Sequence, residues 1–417
     1  MPSLAVRSVT AAAVLALSSS LLSSCDAGSA SPFGGSADQE TTSTTSPSQT
    51  ASQAPAGQIR SNIQRGAGDV AVDTVVKVFA RHGRLSTVTV SAASQSGTDA
   101  DPSILRGTIS GDGSSWRALD RLEPGTPYRV EATVRGNDGA LVTRRTRFTT
   151  QELSLDQQTY PSIAPLPGET VGVGMPVIVN FDVPVTDRAS IEQHLTVTST
   201  PAQAGGWYWL NDREVHFRPK KYWKPGTKVK VDVDINSVPA GEGVYGQLSR
   251  QVDFKVGDAH IYKVDMNAHN MQVFSNGKLL RTLPVTTGEQ PKFTTRSGVK
   301  VIIEKFDAKR MNSETVGIPN DSADGYNIDN VQWAMRVTYS GEFIHAAPWS
   351  VGSQGYANVS HGCTGLSTAD AGWLYAMSRR GDVVKYVGTD RSIEPGNGYS
   401  EWNLSWAQFQ DGSALGG

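Results

Sequence analysis

One phrase occurs twice in this chain. Pro124-Gly125-Thr126 leads into Tyr128-Arg129-Val130-Glu131-Ala132-Thr133-Val134, and 101 positions later (225 − 124) Pro225-Gly226-Thr227 leads into Val229-Lys230-Val231-Asp232-Val233. Alternation of this kind places successive side chains on opposite faces of an extended chain, so each run buries one face and wets the other. Each copy has a tryptophan upstream, Trp116 in one and Trp207 or Trp209 in the other, and a closing strand with Phe148 or Phe254. Arg84 to Val90 alternates in the same way, and Asn137-Asp138-Gly139 marks a hairpin turn. A repeat of about 100 residues built from short strands fits two β-sandwiches of immunoglobulin-like type, over 59–152 and 153–256. Neither has the cysteine pair of antibody domains, so the description is architectural. Exposed Tyr208 or Trp223 would suit sugar stacking, but Trp and Tyr are buried on average, so packing is the favoured reading and the two domains read as a spacer. His194, His216, Lys220 and Lys221 are assigned to solvated surface.

The first residues have a different character. Arg7 precedes an apolar segment that ends in Leu22-Ser23-Ser24-Cys25, too short and wrongly flanked for a membrane span, so residues 1–24 read as a secretory signal. The LSSC ending resembles a bacterial lipobox, which makes Cys25 the lipidated first residue of the exported protein; an ordinary cleavable signal is the alternative. Residues 25–58 are rich in Ser, Thr, Ala, Gly, Gln and Pro and read as a flexible tether, because nothing there buries enough surface to offset the entropy of ordering. On this reading the protein is held on the outer face of the cell membrane.

After Gly257 strand patterns return, at His260 to Val264, Asn270 to Phe274, Lys278 to Val285, Val299 to Phe306 and Val383 to Val387, with a hairpin turn at Asn276-Gly277. Ser367 with Asp370 makes a capping-box start for a helix running to Arg380, with Leu374 and Met377 on one face. Met311 to Tyr326 is a long aperiodic loop of the length used for lids. Trp402 and Trp406, in a 391–417 extension, are expected to fold back on the domain.

The chemistry gathers in Ser340 to Leu366, SGEFIHAAPWSVGSQGYANVSHGCTGL. It holds His345, His361 and Cys363, the only cysteine besides Cys25 at the end of the export signal. Exported cysteines are normally paired, so a single thiol calls for a reason, and a nucleophilic thiolate activated by an imidazole supplies one. His361 is two residues away and reaches the thiol directly in an extended backbone; the glycine-rich loop equally allows His345 to return against it. Gly362 leaves the main chain open, so that the amides of Gly362 and Cys363 can point at a substrate oxygen.

The histidine, the loop length and the Ser-His-Gly-Cys ending resemble the signature of the L,D-transpeptidases, the YkuD-type cysteine enzymes of bacterial cell walls. The likeness runs from about Gly257 to Gly388, and from Asp324 to Leu366 it is similar to the actinobacterial branch. It implies a mostly β chain: two immunoglobulin-like sandwiches, then a YkuD-like β catalytic domain over 257–390 with a short helix after the nucleophile. It further implies Cys363 as nucleophile and His345 as base, oriented by the main-chain carbonyl of Ala346, with Tyr326, Met311, Trp349, Ser360, Ser340 and Gly341 at the substrate. Members often carry Ser at the position of Ala346, and usually Asn at that of Gly365. The implied reaction is acyl transfer from a peptidoglycan tetrapeptide stem with release of D-Ala, forming a 3→3 cross-link; capture by water makes it an L,D-carboxypeptidase. Carbapenems are implied as covalent inhibitors.

Other classes fit less well. The formal charge of −2 gives no general attraction to nucleic acid. His345, His361 and Cys363 are legitimate zinc ligands, but no C-x2-C or H-E-x-x-H spacing accompanies them, so neither metal nor cofactor is expected. A non-catalytic wall-binding lipoprotein would leave the thiol without a purpose.

Overall fold

The computed structural model describes residues 54–92 and 103–416 of the 417-residue chain. The signal, Cys25 and most of the tether lie outside the described residues. The first sandwich closes a sheet of Gln58–Ser61, Lys77–Arg81, Ser115–Ala118 and Gly107–Ile109 against one of Gly83–Ala92, Pro127–Gly136 and Leu141–Thr149. The apolar sides of the alternating runs meet between them, where Val78, Val90, Trp116, Val130, Val134 and Phe148 form a separate core. The hairpin turn at Asn137–Gly139 joins the two long strands in register, Arg135 opposite Leu141.

The second sandwich repeats the plan with Thr170–Val171, Arg250–Val256, Lys228–Val233 and Leu195–Thr200 facing Gly205–Trp209, Glu214–Pro219, Val177–Phe181 and Pro161–Ala164. Trp207, Trp209 and Trp223 are all buried in it, and Tyr208 stacks on Phe409 at 5.3 Å, so these aromatics pack. The two sandwiches touch through polar contacts, among them Ser237 Oγ donating to Leu122 O at 2.6 Å and Asn236 Nδ2 to Glu123 Oε1 at 2.6 Å.

The third region has a five-stranded sheet, Lys278–Pro284, Asn270–Ser275, His260–Asp265, Val383–Val387 and Gly298–Val301, and a four-stranded one, Glu304–Asn312, Asn327–Arg336, Phe343–Ala346 and Thr364–Leu366. The expected single strand Val299 to Phe306 is therefore two strands in two sheets. Ile302 and Ile303 make the crossing, both buried, Ile302 in the catalytic core and Ile303 in the core of the second sandwich. An apolar run is compatible with either layer, and only packing divides it. The helix is Thr368–Met377, capped by Ser367 Oγ on Asp370 N, and stops three residues short of Arg380 because Ser378 is extended and hydrogen-bonds back to Leu374.

The second sandwich and the catalytic region share one core. Val301, Ile303, Val383 and Tyr399 belong to the same buried cluster as the sandwich's Val173, Met175 and Trp223, and Trp402 donates from Nε1 to Gly174 O at 2.8 Å. The C-terminal segment does fold back, but Trp402 and Trp406 pack on the second sandwich, with Arg218 4.6 and 5.3 Å from their rings, rather than on the catalytic region, and so seal this seam. Here His216 corrects its assignment to solvated surface. It is fully buried, with Nε2 2.7 Å from Glu214 Oε1 and Nδ1 against Glu401. Burial opposes its charge, but the carboxylates of Glu401 and Glu214 outweigh that and raise it to about 9. Alternation alone could not reveal it, because its partner Glu401 lies 185 residues away.

Candidate active site

Cys363 sits one residue before the strand Thr364–Leu366, which pairs in parallel with Phe343–Ala346 so that Gly365 lies opposite His345. The parallel register is what brings the two motif residues to one edge of the four-stranded sheet. Both line a cavity of about 350 Å³, together with Met311, Tyr326, Trp349, Ser360 and His361. Of the residues expected at the substrate, Ser340 is outside this lining; its backbone N and Oγ are tied to Asn397 of the C-terminal segment at 2.9 Å each. Gly341 is also outside it, behind the sulfur, where its carbonyl lies 3.7 Å from Cys363 Sγ.

His345 is buried, and its Nδ1 donates to Ala346 O at 2.8 Å, which leaves Nε2 as the basic nitrogen. Burial lowers its pKa, with the Ala346 contact acting in the other direction. Trp349 stacks on the ring at 5.9 Å and closes the outer side. His361 is held differently. Its ring packs on Phe293 at 4.3 Å and Tyr326 at 5.1 Å, a clamp between the active-site turn and the lid. The structure therefore assigns the two histidines distinct surroundings, one hydrogen-bonded and buried, one stacked and exposed.

Burial pushes the Cys363 thiol up to about 12; Glu342 adds to the rise, and the Phe343 amide, Lys300 and Arg336 oppose it. Burial thus favours the uncharged form of both groups, a thiol and an imidazole lining one cavity.

The turn before the sulfur is built by Ser360, whose Oγ donates to Cys363 O at 2.6 Å and accepts from Gly362 N at 3.1 Å. Gly362 has φ +121°, which only glycine adopts comfortably. Its amide is thereby occupied, so of the two amides expected to hold an oxyanion, the one left is that of Cys363, which has no protein acceptor among the described residues. Sequence reasoning missed Phe293, Thr286 and Glu342 here. The one available signal was Glu342, a carboxylate directly before the apolar strand Phe343–Ala346. Among the described residues no three His, Cys, Asp or Glu side chains converge as a metal site.

A thiol and a correctly tautomerised imidazole in one cavity, presented by a β scaffold beside a free amide, make a site for thiol-dependent acyl transfer. Comparison with known proteins agrees. Residues 259–385 match the L,D-transpeptidase catalytic domain family, and residues 67–239 match the bacterial Ig domain. L,D-transpeptidase 2 of Mycobacterium tuberculosis is 37% identical over 358 residues, covering 86% of this chain and 85% of that protein. L,D-transpeptidase 5 of the same species is 32% identical over 325 residues, 76% of this chain and 70% of that one. A solved LD transpeptidase in complex with imipenem is 38% identical, covering 54% of this chain and 97% of that structure, with a TM-score of 0.48. The chain belongs to the L,D-transpeptidase family.

Proposed function

We propose that Cys363 is the nucleophile and His345 the general base of a transpeptidase that forms 3→3 cross-links in peptidoglycan. The observation that carries these roles is the Nδ1 contact of His345 to Ala346 O, which fixes the tautomer that can accept a proton in the cavity Cys363 lines. The sulfur attacks the carbonyl of the residue preceding D-Ala in a tetrapeptide stem while His345 Nε2 takes the thiol proton. The Cys363 amide holds the oxyanion. As the carbon–nitrogen bond breaks, the imidazolium returns the proton to the amine of D-Ala, leaving a thioester. The side-chain amine of a diamino acid in a second stem then attacks the thioester, His345 takes its proton, and the thiol is regenerated with the cross-link made. The aperiodic loop expected from Met311 starts only after the strand Glu304–Asn312, so Met311 at that strand's end, Tyr326 at the end of the loop and Trp349 on the opposite wall frame the cavity the stems would enter. Incubation with a purified disaccharide-tetrapeptide tests this. A dimer lacking one D-Ala is the expected mass; loss of D-Ala alone would mean hydrolysis, and no product would overturn the reading.

The same sulfur is placed to open the β-lactam ring of a carbapenem, adding the whole drug mass to wild-type protein and nothing to Cys363→Ala. At the other end, the LSSC ending supports lipidation of Cys25 and anchorage on the outer membrane face, with the tether and sandwiches holding the active site out toward the wall. Among the described residues no helix is long and apolar enough to cross a membrane. Mass spectrometry of the mature N-terminus checks the anchor; a chain beginning beyond Cys25 would remove it.

A further inference from the structure

Behind the sulfur lies a cluster of charges outside the lining of the cavity. Glu342 and Lys300 are 4% and 1% exposed, and Lys300 Nζ donates to Glu342 Oε2. The other oxygen, Oε1, accepts from the backbone N and from a guanidinium NH of Arg296, each at 3.1 Å, while Arg296 Nε reaches outward to Glu394 at 2.6 Å. Buried ion pairs are poor stabilisers, since desolvation consumes most of what attraction returns, so apolar side chains would serve a purely structural purpose as well.

The location is what distinguishes this one. Cys363 Sγ lies against Gly341 O and the Phe343 amide, the two residues flanking Glu342. Thr295, next to Arg296, donates its hydroxyl to Gly362 O at 2.8 Å. Lys300 Nζ also lies 3.8 Å from the ring centre of Tyr386, whose hydroxyl meets that of Thr364 at 2.8 Å. Three routes out of the cluster thus end on neighbours of the sulfur, and a fourth, through Arg296 Nε, ends on Glu394 at the surface. A bare carboxylate at Glu342 would oppose formation of a thiolate, and the ammonium of Lys300 offsets it. The groups that bear on the sulfur are Glu342, Lys300, Arg336, Tyr326, Tyr386 and His345; those on Lys300 are Glu342, Arg296, Tyr386 and Cys363.

We propose that the Arg296–Glu342–Lys300 cluster is a positioning device for the nucleophile. Glu342 pins the Gly341–Phe343 segment and the Thr295–Gly362 contact on either side of the sulfur, and Lys300 cancels the carboxylate's field so that the thiolate can form when His345 removes the proton. The inference rests on Cys363 being the nucleophile.

The test is the rate of Cys363 alkylation by iodoacetamide against pH, in the full chain, with melting temperature as the check on folding. Lys300→Met leaves the carboxylate balanced by Arg296 on one oxygen and bare on the other, so alkylation at neutral pH slows by about tenfold for each unit the thiol rises. Glu342→Gln moves the curve the opposite way, to lower pH. The double variant returns alkylation to near wild type, yet its kcat on disaccharide-tetrapeptide stays reduced because the anchor is gone. Opposite signs are the readout that a merely structural role cannot produce. Both single variants slowing alkylation, or a double variant slower than Lys300→Met, overturns the proposal. If Lys300→Met does not fold, Glu342→Gln decides alone: a curve unmoved or shifted to higher pH rejects it. A wild-type Cys363 that resists alkylation at every pH and forms no acyl enzyme would instead remove the nucleophile assignment.

Discussion

At Cys363 and His345 burial acts on both partners in the direction that removes charge, and the consequence is a pH dependence with a definite sign. The active form of His345 is the neutral imidazole. Its pKa is depressed from the ordinary 6.5, so more than half is already neutral at that pH. The expected kcat/KM is therefore level through neutrality and falls only in acid, below pH 6.5, which a rate profile with disaccharide-tetrapeptide checks; a limb centred above 7 would contradict the neutral pair. His345→Gln should lower kcat by about 10²- to 10⁴-fold, the range for loss of a general base, with little change in melting temperature. His361→Ala loosens the contacts to Phe293 and Tyr326 and is expected to raise KM more than it lowers kcat. The residues alone pointed to all three and left either histidine open, while the family resemblance already implied His345 with the Ala346 carbonyl. The structure adds that carbonyl contact, from the next residue, and the two rings that hold His361, Phe293 and Tyr326, supplied by other segments.

Among the elements, the helix Thr368–Met377 is the most legible, because a cap is written in adjacent residues. Ser367 Oγ accepts from Asp370 N and donates to Asp370 Oδ2 at 2.7 Å. Ser367→Ala is expected to cost about 1 kcal/mol, read as a small loss in melting temperature with kcat nearly intact, since the cap lies beyond the sulfur in the chain. The strands at 260–265, 270–275 and 278–284 were likewise readable from alternation and the Asn276-Gly277 turn. The run from Val299 was not. Val301, Ile302 and Ile303 are three consecutive apolar residues at its middle, so alternation breaks down at the point where one sheet ends and the next begins.

For the whole molecule, the distribution of cores sets what can be removed. The first sandwich has its own apolar cluster and meets the second through polar contacts, so a chain beginning at residue 153 is expected to stay folded and active. A chain beginning at 257 exposes Val301, Ile303, Val383 and Tyr399, which the second sandwich covers, and is expected to aggregate; size-exclusion chromatography of the two distinguishes them. The seam also carries a charge linkage. His216 is raised above its unfolded value, so the stability it contributes is complete below pH 6.5 and is lost as pH rises through about 9, by at most about 3 kcal/mol. Melting temperature should fall over that window in the wild type and less so in His216→Gln. What the amino-acid order determined unaided was local or periodic: the β character, the repeat, the turns, the helix cap, and a lone thiol set in a histidine- and glycine-rich stretch. Such features depend on residues within a few positions of one another. The tertiary structure alone decided that His361 is held by Phe293 and Tyr326, that Gly362 spends its amide on Ser360, that His216 is buried between two carboxylates, and that Glu342 meets Lys300 behind the sulfur. Each of those depends on a contact closed by packing, in several cases between segments far apart in the chain, and no pattern along the sequence encodes which distant surface will arrive.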